Sequence, residues 1–215
     1  MRPARVLVLG IGNVLWADEG FGVRALEALN QGFVFPDHVT LLDGGTQGVY
    51  LLEHVTSADA VLVLDCIDYA LAPGNLKVMR DADVPVWTGT ALSLHQATFQ
   101  ELLALAHWQG RFPSRITVIG VQPAVLDDLG GSLSPPVRAR LIEAVRLAVT
   151  ELAAWGVTAR PRGQAVAPAL HAVAPALHAD ALALHAYEAG RPDAALACRS
   201  GDARFMPSGT PTRSA

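Results

Sequence analysis

Four short, largely apolar runs dominate what this chain can fold into: residues 5–10 (RVLVLG), 38–43 (HVTLLD), 60–66 (AVLVLDC) and 115–121 (RITVIGV). Runs of this length without polar alternation suit strands covered on both faces. Helical patterns separate them. Residues 20–31 place Val23, Leu26 and Leu29 on one side, with Asp18 positioned as a cap. Residues 48–57 read as a second helix, and 95–108 as another with Phe99, Leu102, Leu103 and Ala106 on one face. Residues 134–155 predict the longest helix: Ser134 caps it, Pro135 occupies its first turn and Gly156 ends it. Its buried stripe is Val137, Leu141, Val145, Ala148, Leu152 and Trp155. The alternating segment 75–80 fits a short antiparallel strand at or near an edge. Strands alternating with helices give an α/β fold, a mostly parallel sheet sandwiched by helices.

Several classes are excluded. No stretch approaches the roughly 18 consecutive apolar residues of a membrane span. The start resembles a signal peptide only superficially, because Gly10, Gly12 and Asn13 cut the apolar run and Asp18-Glu19 follow. The formal charge is −4 with no basic cluster, so nucleic acid is not an expected partner. Two cysteines, Cys66 and Cys198, rule out a disulfide scaffold or a cysteine-only metal cage. A cytoplasmic monomer is the default expectation.

Composition changes near Ala159. The last 57 residues hold seventeen Ala and six Pro, with six Arg against four acids. This divides the chain into a body, 1–158, and a poorly ordered tail, 159–215. Within the tail, residues 166–171 recur as 173–178, and a degraded third copy ends at His185. Three His at seven-residue intervals would share a helix face and collect a metal, but Pro168 and Pro175 break a helix there.

Parallel sheets bind ligands at the carboxyl ends of their strands. After the first strand comes Gly10-Ile11-Gly12-Asn13-Val14-Leu15, then Asp18-Glu19-Gly20-Phe21-Gly22. Leu15 stands where a dinucleotide fingerprint needs its third glycine, and no Walker lysine is present, Lys77 being the single lysine. Asp43-Gly44-Gly45-Thr46 closes the second strand, Asp65 closes the third with Asp68 three residues on, and His95 opens a later helix. Singly, each has a structural account as a turn former, cap or first-turn residue. Jointly, the strand-end rule directs Glu19, Asp43, Asp65 and His95 toward one crevice. Carboxylates sharing a pocket repel unless a cation or proton sits between them, and two carboxylates with an imidazole suit nickel or zinc. A nucleophilic Cys66 with His95 as base is the weaker reading, since buried small-residue packing accounts for Cys66. Ser93 lacks a nucleophile elbow.

These elements, in this order over about residues 5–155, resemble the maturation endopeptidases of nickel–iron hydrogenases. Gly120-Val121-Gln122-Pro123 and Gly130-Gly131-Ser132-Leu133-Ser134 add to the likeness. The resemblance implies a three-layer α/β/α sandwich and an endopeptidase, grouped with the aspartic type. Such an enzyme removes a C-terminal peptide from the hydrogenase large-subunit precursor after nickel insertion. It further implies that Glu19, Asp65 and His95 bind the nickel carried by that precursor, with zinc or cadmium standing in for it in vitro. Asp43 and Asp65 are the implied catalytic carboxylates. A nickel-binding assembly chaperone without peptidase activity is the alternative.

Overall fold

A computed structural model describes residues 3–84, 94–163, 171–172 and 183–190, with 94–98 and 171–172 described by backbone alone. The fold is α/β. The central sheet contains β1 (Val6–Ile11), β3 (Val39–Gly45), β4 (Ala60–Cys66), β5 (Leu76–Arg80), β6 (Arg115–Val121) and β8 (His171–Ala172), in the order β5-β6-β4-β1-β3-β8. All neighbours run parallel except β5, which lies antiparallel on β6 at one edge. A separate two-residue ribbon pairs β2 (Phe33–Val34) with β7 (Arg160–Pro161).

Pleat alternation sorts the strands' side chains onto two faces. Val8, Leu41, Leu62, Leu64 and Ile119 pack under α1 (Phe21–Gly32) and α5 (Leu141–Ala154). Leu9, Leu42, Val61, Val63 and Val118 pack under α2 (Leu52–Ser57) and α3 (Leu94–Trp108). Because both faces are covered, β1 and β4 are buried along their whole length, and their sequences carry no alternation. Helices on both faces complete the three layers.

The helix expected over 134–155 is broken in two. α4 (Pro135–Arg138) ends in a turn at Ala139 and Arg140, and α5 restarts at Leu141. Arg140 N–H donates to the Val137 carbonyl at 3.0 Å instead of reaching Pro136. The Pro136 carbonyl is thereby left out of the ladder where Gly74 packs against it, so close that a Cβ on Gly74 would lie 2.7 Å away. Gly156, at φ +82°, ends α5 as its sequence position predicts.

Beyond residue 158, where composition changes, the described residues are in contact with the body. The Arg162 guanidinium donates to the carbonyls of Asn30 (2.7 Å) and Phe33 (2.7 Å), closing the C-terminal end of α1. β8 adds to β3, and a short helix, α6 (Leu184–Gly190), follows. Of the three repeat histidines, His171 lies in β8 and His185 in α6, so these two do not share a helix face; His178, like Cys198 and Ser93, lies outside the described residues. Among the described residues, no helix is long and apolar enough to cross a membrane.

Candidate active site at the carboxyl rim of the sheet

The glycine-rich turn after β1 is shaped by close contact. A Cβ at Gly22 would lie 2.1 Å from the Leu64 carbonyl oxygen and 2.3 Å from that of Ile11, so α1 begins directly against two strands. Gly12, at φ +135°, lies under the Glu19 carbonyl, where a Cβ would come within 1.8 Å. These glycines let the backbone pass close to itself, and no phosphate-binding role is needed to explain them. The 3₁₀ turn Ala17–Gly20 that follows presents Glu19, which is half-buried.

Asp18 does not cap α1, whose N-terminus has no side-chain cap. It is fully buried and turned the other way. Its Oδ2 accepts from Ala124 N–H (2.8 Å), Val125 N–H (2.9 Å) and the Ser134 hydroxyl (2.8 Å), while Oδ1 accepts from Ser134 N–H (2.7 Å). This one carboxylate therefore staples the 124–134 loop to the turn that carries Glu19. Ser134 accordingly makes no side-chain cap for α4.

A second staple holds the loop after β4. Gln122 Oε1 accepts from Tyr69 N–H (2.7 Å) and Leu71 N–H (3.1 Å), and its Nε2 donates to Asp68 Oδ1 (2.9 Å). The Gln122 amide first, then the Ala70 N–H donating to the same Oδ1 (2.8 Å), hold the Asp68 carboxyl below its ordinary range.

Asp65 is 2% exposed, and Cys66 N–H donates to its Oδ1 at 2.7 Å. It lies in register with Gly120 on the face toward α3. That face also carries Tyr69, whose hydroxyl sits where a Cβ on Gly120 would be, 2.5 Å away. Burial, with the negative charges of Asp65 and Cys66 behind it, keeps the Tyr69 phenol protonated well past its usual range. Burial first, then the charges of Asp65, Asp18, Glu19 and Asp68, pushes the Cys66 thiol well above its ordinary pKa. Cys66 is 2% exposed among the apolar side chains under α1, which fits buried small-residue packing. His95 stands in the first turn of α3 on the Asp65 side of the sheet; its side chain lies outside the described residues. Among the described residues, no three His, Cys, Asp or Glu side chains form a ready-made metal cage.

Asp43 is separated from this group. It is level with Gly10 in β1, and the pleat turns it to the α1 face, opposite Asp65. Its Oδ1 accepts from Gly45 N–H at 3.0 Å. Burial raises its pKa, opposed by the Gly45 bond and the positive charge of Arg24. Arg24, itself buried, donates from one nitrogen to both carboxylate oxygens of Glu27 at 3.1 Å. Asp65 and Asp43 thus stand on opposite faces of the sheet, Asp43 on the side of the Arg24–Glu27 pair. The Asp18 and Gln122 staples and the Arg24–Glu27 pair were not expected from sequence. Gln122 had a signal, since it lies in the Gly-Val-Gln-Pro element at a strand end. Arg24 had a weaker one, a charge beside the apolar stripe of a helix.

The chain is similar to known proteins over most of its length. The family model for hydrogenase maturation proteases matches residues 23–151. The hydrogenase expression/formation protein HoxM of Azotobacter vinelandii is 53% identical over 211 residues, covering 96% of this chain and 97% of its own length. That match runs on through the segment after Ala159. The hydrogenase 2 maturation protease of Escherichia coli is 39% identical over 159 residues, covering 74% of this chain and 96% of its own length. The structure of the hydrogenase maturating endopeptidase HYBD from E. coli superposes with a TM-score of 0.70 at 38% identity, over 74% of this chain and 98% of that one. On the strength of these matches, the chain belongs to the hydrogenase maturation protease family.

Proposed function

We propose that this protein is a cytoplasmic endopeptidase that removes the C-terminal peptide of a nickel–iron hydrogenase large-subunit precursor once nickel has been inserted. The observation that carries the reading is the family match, supported by Asp65 at the end of β4 on the sheet face that α3 covers. Glu19, Asp65 and His95 grip the nickel that arrives with the substrate and so position the scissile bond. Two carboxylates and one imidazole form an incomplete donor set for such an ion, which leaves positions for the substrate's own ligands. Zinc or cadmium substitutes for nickel at this donor set in vitro. Cleavage then depends on metal insertion, because an unloaded precursor has nothing to be gripped by.

Hydrolysis itself needs a base. Asp43 or the second oxygen of Asp65 takes a proton from the attacking water as its oxygen bonds to the peptide carbonyl carbon. The carbon–nitrogen bond then breaks, and the leaving amine receives that proton. This carboxylate chemistry is the basis for grouping the enzyme with the aspartic type. The two candidate bases approach from opposite faces of the sheet, Asp65 on the side of α3 and Asp43 on the side of α1. The enzyme acts as a monomer on one precursor at a time.

The test is to incubate the protein with nickel-loaded and nickel-free precursor and follow loss of the C-terminal peptide by intact mass. Cleavage of the loaded form alone is expected. Equal cleavage of both removes the metal dependence, and cleavage of neither removes the enzyme in favour of a nickel-binding assembly factor.

A further inference from the structure

β3 would be an edge strand were it not for two residues from the far end of the chain. β8 pairs with it in parallel, Leu42 opposite His171 and Asp43 opposite Ala172. The helix that follows, α6, fastens this addition to the body. Leu184 N–H bonds to the Glu27 carboxylate. The Tyr187 ring stacks on the Arg24 guanidinium, 5.4 Å from the ring centre. Glu188 accepts from the Ser132 hydroxyl at 2.6 Å and pairs with Arg138. Residues 171–172 thus lie on β3, and residues 183–190 lie on the Arg24–Glu27 pair and the loop that Asp18 staples.

The strand it adds is short. Two residues of parallel pairing at an edge are weak, because parallel pairing is the less stable kind and ordinary strands run to about five or six residues. β3 itself is seven residues long, from Val39 to Gly45. An extended peptide lying along all of it would form a longer ladder than β8 does. Main-chain pairing to an exposed sheet edge is a general way for proteins to hold extended peptides. The direction is also suitable. A peptide parallel to β3 points its C-terminal end toward the rim, where Asp43 stands on one face of the sheet and Asp65 on the other.

We propose that the outer edge of β3 is the docking strand for the extended segment of the precursor at the bond to be cut, and that β8 occupies this place in the free enzyme. The inference rests on the proposed peptidase function and names where its polypeptide substrate lies. Substrate displaces β8, while the anchorage of α6 sets how readily the strap yields. An enzyme whose docking edge is covered most of the time binds its substrate more weakly by the fraction of time the edge is open.

The experiment uses the full chain in three forms: unaltered, Ala172→Pro, and Tyr187→Ala combined with Glu188→Ala. Proline in β8 disturbs the pairing directly, and the double variant loosens α6 without touching β8 or the sheet. Amide hydrogen exchange is read over residues 39–45, with and without nickel-loaded precursor, alongside KM and kcat for processing. Both variants should exchange faster at 42–45 than the unaltered chain, and precursor should restore protection. KM should fall roughly fivefold, about what one strand hydrogen bond is worth, with kcat unchanged. The docking proposal is overturned if the variants expose the edge but precursor does not protect it. It is equally overturned if KM stays constant or rises, which would make the strap part of the binding wall. Unchanged exchange at 42–45 in both variants overturns the role of β8. Absence of cleavage in all three forms is a different result: it removes the peptidase function, while the exchange data still report whether β8 covers the edge.

Discussion

Replacing Asp18 tests whether the rim is held together by one buried carboxylate. Four donors converge on it at 2.7–2.9 Å, three of them main-chain N–H groups of the 124–134 loop. Hydrogen bonds to a charged group are worth about 1.5–3 kcal/mol each, and an orphaned buried donor costs about 1–3 kcal/mol. These figures do not add, because a loop that loses its anchor loosens and admits water. Asp18→Ala should therefore cost about 4 kcal/mol, at the upper end for a single substitution. At about 2–4 °C per kcal/mol for a chain of this size, Tm should fall by about 8–16 °C. Asp18→Asn should cost less, about 2–3 kcal/mol. Its oxygen can keep the three donors now on Oδ2, while its NH₂ group must face the Ser134 N–H.

Ser134→Ala isolates one bond and should cost about 1 kcal/mol. In the double variant with Asp18→Ala, that bond is already gone, so the two effects should fall short of additivity by about the same amount. Urea unfolding of the four proteins supplies the cycle. If Asp18→Ala lies within about 1 kcal/mol of the unaltered chain, or the cycle is additive, the carboxylate is not the staple. In that case the loop is held by other contacts, such as the bridge between Trp16 and Leu129.

Gly22→Ala drives a methyl into two carbonyl oxygens at 2.1 and 2.3 Å and should cost about 3 kcal/mol or prevent folding. Gly32→Ala, where a Cβ meets nothing within 4 Å, should be nearly neutral in the same thermal assay. Glu19→Gln and His95→Ala should abolish precursor processing while leaving Tm nearly unchanged; a matching loss of stability would mark the residue as structural. Burial raises the Asp43 carboxyl above its unfolded value of 3.8, so the folded state holds a proton the unfolded chain releases. The sign follows from proton linkage: Asp43 contributes stability below that value, which is lost as pH rises through the raised folded pKa. Asp43→Asn should therefore flatten the fall in stability measured by urea unfolding from about pH 4 upward.

The fold was legible because burial on both faces leaves a mark in the sequence. A strand such as Ala60–Cys66 is apolar at successive positions only when helices cover both sides, so the run itself reports the layers. Gly156 was equally readable, since a left-handed helix end is nearly a glycine property. The break at Ala139 and Arg140 was not. The apolar stripe runs through it without a missed turn, and the Pro136 carbonyl left out of the ladder there meets Gly74, more than sixty residues away in the chain. β8 was invisible for a related reason. Two residues of main-chain pairing require no particular side chains, and the Ala- and Pro-rich composition around them carries no strand pattern.

The site shows where strand-end reasoning stops. The rule that ligands gather at the carboxyl ends of parallel strands predicts an edge, and Glu19, Asp43 and Asp65 all lie along it. It does not predict a face, because the face depends on register. Asp43 is level with Gly10, whereas Asp65 lies one residue beyond Gly10's partner, Leu64. That single step sends the two carboxylates to opposite sides of the sheet. A sequence gives the period of a strand but not its offset from its neighbours. Spacing motifs therefore located the acids along the rim while leaving open which of them share a pocket. Asp18 illustrates the complementary failure. An acid just before a helix is ordinarily read as a cap, and only the loop returning from 124–134 makes it the centre of four hydrogen bonds. Local grammar identifies which groups are polar and where the chain turns; their partners are chosen by segments about a hundred residues away in the chain.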